Sequence, residues 1–561
     1  MKKTIGILLA LILALTMLPS AAFAEGEITD FAGLKAAAGT AGEYTLGADI
    51  AVSETLEISA DVTINGGGKT LTYGEGFTGS VFKVNNGGKL TLKNVVIDGG
   101  NAWEWRLDDN ISSEENNATR YDDSISRPEA GKILAVPTFN ISSGTLSLEN
   151  STIRNAVYNV ESASYNNDCG IIYAEGGKIT LSGVNISKIA GTIVKSSGTA
   201  VELKGSSTIS DCYGCGNKGG LFIISGGTID MENTSIKNNK TWVRSGEVFG
   251  IVNNAVFTMN SGEIDSNVCR HGGSNTSGSM ICVESGGKFI MNGGSITNNV
   301  GFRAGAISSR WTVGNHGVDN GIHLNGGIIS GNTTKLSDWK EASVFVRGTL
   351  NINSNMTVSG IVVSDSDSKL NNLGTIIGDL IINNASAAAT SSGNVKGHIT
   401  VTNGTLTITG GYYGDSIEAI TPYLADGLRA VPSDDPEYTC MVVPAGAVRV
   451  SFDVNGGDAL VPSFTYTDGQ GVLSQLPAAT RANYRFNGWY TAPMGGTRII
   501  EGSIFTADTT VFAQWTYIES GSSGDDYPIF TTPAPAPAPV GLPTTGDMTI
   551  FEMILSWLGL L

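Results

Sequence analysis

The chain has 561 residues, of which only 15% are Asp, Glu, Lys or Arg, and it carries 74 glycines. Its 34 basic and 52 acidic residues leave a formal charge of -18, which argues against nucleic acid or an anionic membrane surface as partner. Asn, Ser and Thr stand where helical proteins carry Lys, Glu and Ala, so the composition is all-β, and the length allows several domains or one large elongated one.

The N-terminus opens with Met1-Lys2-Lys3, continues in an apolar run from Ile5 to Leu18, and reaches the small-x-small pattern Ala22-Phe23-Ala24 before Glu25. This is the pattern of a secretory signal peptide over residues 1–24; the run is too short for a membrane span. The mature chain is expected to start at Glu25 and to be extracellular. Export permits disulfides among Cys169, Cys212, Cys215, Cys269, Cys282 and Cys440, but six cysteines in so long a chain make no disulfide framework, and which of them pair is open. Cys212-x-x-Cys215 has half of a zinc-site spacing, with no second pair at a useful distance.

Residues 28–39, "ITDFAGLKAAAG", read as a short amphipathic helix. A recurring phrase follows: "GGKLTLKNVVIDGG" at 87–100, "SGTLSLENSTIRNA" at 143–156, "GGTIDMENTSIKNN" at 226–239 and "GGKFIMNGGSITNN" at 286–299 are four of seven copies. Each copy has two apolar residues in alternation and then an Ile five positions after the second. Two weaker copies, around Leu203/Ile209 and Ile352/Val358, have six. Alternation predicts strands, and the intervening Gly and Asn predict turns. A third strand precedes each phrase, with Phe82/Val84, Ile171/Tyr173, Leu221/Ile223, Phe249/Ile251 and Ile281/Val283 expected to face inward. Such a unit cannot bury its own inner face, so copies must stack. Three strands per coil and a period in the high twenties predict a parallel β-helix of triangular section; some thirteen coils at about 4.8 Å each would extend roughly 60 Å. Asn239, Asn267, Asn299 and Asn332 each lie three residues after the template Ile, where stacked amides can bond from coil to coil.

On these repeats, residues 28–415 resemble the right-handed parallel β-helix proteins of the pectate-lyase-like superfamily. The resemblance implies the fold and leaves the function open. Residues 405–444 depart from the template at Tyr423-Leu424-Ala425-Asp426-Gly427 and read as a cap on the last coil. An acidic insertion at 101–132, with Trp103, Trp105 and Tyr121, is either a ligand loop or a disordered excursion.

Residues 446–516 change style. Phe452, Asn455-Gly456-Gly457, Phe486, Gly488-Trp489-Tyr490, Gly495-Gly496, Ala513 and Trp515 are similar to the Listeria–Bacteroides repeat, the B-repeat type of internalin-like surface proteins. That resemblance implies a small β-grasp-like module without catalytic residues, in which Phe486, Trp489 and Trp515 are core or a ligand platform. Residues 517–541 form a flexible, then Pro-Ala-rich stalk. Leu542-Pro543-Thr544-Thr545-Gly546 resembles the sortase recognition motif of cell-wall-anchored Gram-positive proteins. It implies cleavage between Thr545 and Gly546 and transfer to peptidoglycan. The tail from 547 to 561 carries Asp547 and Glu552 and no basic residue, and as a helix it would reach about 22 Å against a bilayer core of about 30 Å. Membrane contact is therefore expected to be transient, with part of the protein secreted.

Candidate chemistry lies on outward positions. Glu202 and Asp230 are expected one coil apart, as an acid/base pair, a calcium site or an ion cluster balanced by Lys204. Two longer coils place Arg270 and His271 in one loop and Arg310, Trp311, His316 and Asp319 in another, which would flank one strand as a shallow cleft. No cofactor is expected unless calcium binds. The motif sets of polygalacturonases and pectate lyases are missing from the sequence. Three readings follow: an adhesin-like surface protein binding glycan or host and matrix partners, a surface polysaccharide lyase or glycoside hydrolase, or a purely structural wall or biofilm component.

Overall fold

A computed structural model of the chain describes residues 24–101, 133–158, 170–215, 220–242, 247–269, 278–310, 320–334, 342–364 and 366–518. Strand accounts for 55% and helix for 4%, so the all-β expectation holds. The chain forms two compact units.

The larger unit is a parallel β-helix. Its strands form two long sheets, of 24 and 22 strands among the described residues. One coil shows the plan: Phe249–Val252 and Val256–Met259 belong to the first sheet, Glu263–Asp265 and Val268–Cys269 to the second. Each pairs in parallel with its counterpart in the next coil, Ile281–Glu284, Lys288–Met291, Ser295–Thr297 and Val300–Gly301. A coil therefore has four strand segments rather than the three expected. Among the described residues the fourth spans two or three, too few for alternation to reveal it.

Inward positions form continuous columns. Leu146, Ile179, Val201, Ile229, Phe257 and Phe289 follow one another in register on the second strand, and all are fully buried. The template isoleucines do the same on the third strand, from Ile153 through Ile186, Ile209, Ile236, Ile264 and Ile296 to Ile329. On the first strand the expected phase fails at two coils. Phe139 pairs with Ile172, and Val194 with Phe222, so Ile172/Ala174 and Phe222/Ile224 face inward while Tyr173 and Ile223 turn outward. A one-residue slip exchanges the faces of a strand. Here the apolar runs "GIIYA" and "LFII" carry no alternation to fix the phase. The corner to the second strand fixes it instead. Phe222–Met231 is one strand bent through Gly226 and Gly227, whereas Asn253 and Asn254, both at positive φ, make a longer corner in the next coil.

The core also trades volume between positions. Met231, Met259 and Met291 occupy the inward site that Leu181 and Leu203 fill in earlier coils. Their extra reach ends at corner glycines: a Cβ on Gly294 would sit 2.7 Å from Cε of Met259. Long unbranched side chains fill such gaps, and a side chain on the corner would overpack them.

The corner after the third strand is held by amides. The residue two after the template Ile is left-handed in successive coils, with φ of 56° at Asn238, 55° at Ser266 and 55° at Asn298. The next residue is the ladder Asn. Oδ1 of Asn267 accepts from both the backbone N and Nδ2 of Asn239, each at 3.0 Å. Nδ2 of Asn267 donates to Ile236 O at 2.9 Å and to Oδ1 of Asn299 at 3.0 Å. Asn299 repeats the pattern onto Asn332, and at the other end Oδ1 of Asn239 accepts from the backbone of Cys212.

Both ends of the stack are closed by non-parallel structure. Helix Phe31–Ala38, capped by the Asp30 carboxylate on Gly33 N at 2.8 Å, buries Leu34, Ala37 and Ala38. At the other end Cys440–Pro444 runs antiparallel to Tyr412–Tyr413 and to Leu428–Pro432. The hairpin occupies an edge that would otherwise offer free backbone groups.

In the smaller unit, Tyr484–Tyr490 pairs antiparallel with Arg498–Ile499 and with Thr509–Tyr517. Trp489 is 1% exposed, packs against Phe452 at 4.8 Å and Phe486 at 5.5 Å, and donates its indole N–H to Pro477 O. It is core. Phe486 and Trp515 are half-buried beside it, 5.3 Å apart. Gly457 lies against Trp515, where a Cβ would meet the ring at 2.5 Å, which accounts for the second glycine of Asn455-Gly456-Gly457.

Replacing Asn267 by Ala strips partners from Asn239 N, Asn239 Nδ2 and Ile236 O, all buried. We expect a loss of about 2–4 kcal/mol. The exposed amide row Asn260–Asn292–Asn325, bonded at 2.9 Å per step, has the same chemistry in water, and Asn292→Ala should cost under about 0.5 kcal/mol. Urea midpoints of the two variants test this; similar losses from both would show that the buried ladder has no special weight.

Candidate functional site

The second strand carries one outward column along the stack. Thr91, Ser147, Thr180, Glu202, Asp230, Thr258, Ile290 and His323 follow each other in register. Glu202 and Asp230 are direct register partners. Their environments differ. Oε1 of Glu202 lies 2.5 Å from Nζ of Lys178 and Oε2 lies 2.9 Å from Nζ of Lys204. Oε2 also accepts from the Thr180 hydroxyl at 3.2 Å. The hydrogen bonds and charges of the two lysines hold the Glu202 carboxyl down at about 2. A group held so firmly in its ionised form is a poor proton donor at neutral pH. Asp230 is exposed, and its carboxylate makes no hydrogen bond or ion pair among the described residues. The histidine on the same column, His323, stands three coils further on, about 14 Å away. The column therefore brings two carboxylates together, beside lysines.

Of the loop candidates, Arg270, His271, Trp311, His316 and Asp319 lie outside the described residues. Arg310 is described in its backbone, paired with Glu284. The insertion aromatics Trp103, Trp105 and Tyr121 and the motif Leu542, Pro543, Thr544, Thr545 and Gly546 also fall outside them. Cys212 and Cys440 are buried free thiols. Burial pushes the Cys212 thiol up to about 12, and its Sγ lies near the carbonyls of Ser210 and Ile186. Among the described residues no three His, Cys, Asp or Glu side chains gather as a metal-binding group.

A second column escaped the sequence reading. The residue before each template Ile points outward on the third strand, and Thr208, Ser235, Glu263 and Ser295 stand there in register over four successive coils. Beside them runs a shallow open trough of about 370 Å³. Ser206 and Asn233 form its rim, joined by a bond from Asn233 Nδ2 to Ser206 Oγ at 2.9 Å. Ser207 and Thr234, both 1% exposed, form its floor, and Gly262 continues the floor without a side chain. Ser235 Oγ donates to Glu263 Oε1 at 2.5 Å. The signal was present in the sequence as a polar residue directly before the Ile in "SSTI", "NTSI", "SGEI" and "GGSI".

Residues 449–514 match the Listeria-Bacteroides repeat domain family. That domain is found in extracellular or surface proteins of bacteria, which fits a surface protein. No curated protein and no solved structure matches the chain.

The Glu202 cluster has a pH signature. Its folded pKa of about 2 lies below the unfolded value of about 4.3. The stability it contributes is thus present above about pH 4.3 and is lost as pH falls toward 2. Because the cluster is partly exposed, Glu202→Gln should cost no more than about 1 kcal/mol at pH 7. The variant should also flatten the fall in stability between about pH 4.5 and 2. Thermal melts across that range test this; parallel curves for both proteins would dissociate Glu202 from acid sensitivity.

Proposed function

We propose that the chain is an adhesin-like bacterial surface protein. Its β-helix binds glycan or host and matrix partners, and its C-terminal region is joined to peptidoglycan by a sortase acting at Leu542–Gly546. The observation that carries the binding reading is the commitment of Glu202 to two lysines. The paired carboxylates then serve as part of a surface charge lattice, beside outward columns in which polar side chains recur over several successive coils. Polar side chains recurring at a fixed step suit recognition of a repeating ligand. Catalysis needs an acid and a base of separated pKa converging on one bond. The repeat domain at 449–514 and the Pro-Ala stalk lift the coils from the wall in this reading.

The second reading, a surface lyase or glycoside hydrolase, is favoured by one observation: Asp230 is exposed and stands one coil from Glu202. The secreted chain on a glycan array, followed by a reducing-end assay on every ligand bound, separates the two. Binding without cleavage is expected. Release of new reducing ends that Asp230→Asn abolishes would replace the adhesin by the enzyme. For the anchor, wild-type protein is expected in the wall fraction and Thr545→Ala in the medium; equal release of both would remove sortase from the account.

A further inference from the structure

We propose that the trough on the third-strand face is a subsite for an uncharged polysaccharide chain laid along the stack, one sugar-bearing step per coil. The proposal rests on the glycan-binding reading and gives it a location and a ligand class. Three observations carry it.

The first is register. Thr208, Ser235, Glu263 and Ser295 are successive partners, so a polar group recurs at each coil step of about 4.8 Å over a span of about 14 Å. A repeating chain meets such a column in the same way at each step, which a compact ligand does not.

The second is the unspent hydrogen-bonding capacity. Ser206 Oγ accepts from Asn233 and keeps its own proton to donate. Ser235 Oγ donates to Glu263 Oε1 and keeps its lone pairs, while Glu263 Oε2 remains as an acceptor. The hydroxyls of Thr208 and Ser295 have no hydrogen-bond partner among the described residues. Hydroxyls that both donate and accept are what this mixture calls for, and sugars supply them at every residue.

The third is charge. No Lys or Arg lines the trough, and one carboxylate does. A polyanionic chain would bring like charge against Glu263 with no cation to offset it, so acidic glycans are disfavoured there. A peptide strand would leave its side chains without apolar pockets, since the lining is hydroxyl, amide, carboxylate and glycine. The trough is also without an aromatic platform, so each step contributes little and binding grows with the number of steps engaged.

The test is calorimetric titration of the full secreted chain with length series of gluco-, manno-, xylo- and galacto-oligosaccharides, and with an oligogalacturonate as the acidic probe. One uncharged series should bind with affinity that rises with length and levels off once the chain spans the four coils. Ser235→Tyr and Ser295→Tyr, which fill the trough from two different coils, should each weaken that binding at least about tenfold. Their melting midpoints should stay near wild type, since both side chains point outward from the core and are only half-buried. Binding that survives both fillings overturns the trough while the glycan-binding reading stands. Preference for the oligogalacturonate overturns the charge argument and the proposal with it. If no oligosaccharide binds, the trough falls together with the glycan half of the reading, and host and matrix partners are left.

Discussion

The structure depends on one constraint: each coil must reproduce the previous one at a single strand spacing, with every backbone donor meeting an acceptor one coil away. Along the strands the parallel ladders do this. At the corners the backbone turns out of the ladder, and buried N–H and C=O groups need other partners. The Asn ladder supplies them. A carboxamide has two donor and two acceptor sites, and Asn267 uses all four: two acceptances from Asn239 and donations to Ile236 O and Asn299. Asp in that place would lose both donors, and Gln would carry the amide one bond too far. The ladder occupies only part of the stack. At the same corner Ala156 and Ile189 stand in earlier coils, where Thr152–Tyr158 and Asn185–Ala190 run as continuous strands through the turn. Amides take over where the third and fourth segments are separate strands, as in Ser235–Lys237 and Lys240–Trp242 or Ser295–Thr297 and Val300–Gly301. Side chains thus bond the corner where the strand is interrupted.

The same constraint acts on volume. Successive coils superpose their side chains, so a column cannot relieve crowding sideways. A larger residue needs room from its own neighbours. Phe222, Phe249, Phe257 and Phe289 manage by stacking, with ring centroids 4.5 to 5.1 Å apart. The methionines manage by extending toward glycine corners. Both devices hold the coil spacing constant while the residues change, and so the trough on the outer face is continuous from coil to coil.

How much of this was legible follows from the same physics. The five-residue interval to the template Ile marked the third strand in every strong copy, because both of its ends are fixed: an inward apolar residue before and an inward Ile after. The first strand was read one residue out of phase at Ile171/Tyr173 and Leu221/Ile223. Its apolar runs carry no alternation, and the corner that sets the phase varies between coils. The fourth strand went unseen because two residues have no period. For the site, Glu202 and Asp230 were placed side by side by counting alone. Lys204 was legible as a neighbour on the same strand; Lys178 reaches Glu202 on a diagonal from the preceding coil, which no single-column count reveals. The hydroxyl column was written in the sequence, but its trough was not, since the opening is made by corner backbone.

Stacking also decides what a face can carry. In a parallel, in-register coil each outward residue has its column neighbours about 4.8 Å away. Like charges at that distance oppose each other by about 1 kcal/mol even in water, and by more near a protein surface. Columns therefore either compensate charge or avoid it. Lys83 meets Glu57, Lys89 meets Asp61, Lys93 meets Glu149, and Glu202 sits between two lysines. Elsewhere Ser, Thr and Asn replace charge altogether. The low charged fraction of the chain is thus a requirement of the fold before it is a statement about partners. An uncharged polar column is the state such a face adopts by default, and polarity alone marks no site. What singles out the third-strand column is the coincidence of that polarity with a concave surface beside it, lined from four successive coils. Gly262 follows Thr234 and Ser207 in the floor; a Cβ there would collide with Thr234 O and meet Cε of Met231 at 3.1 Å, so the close approach of the preceding coil and the core demands the glycine, and the corner itself lines the trough.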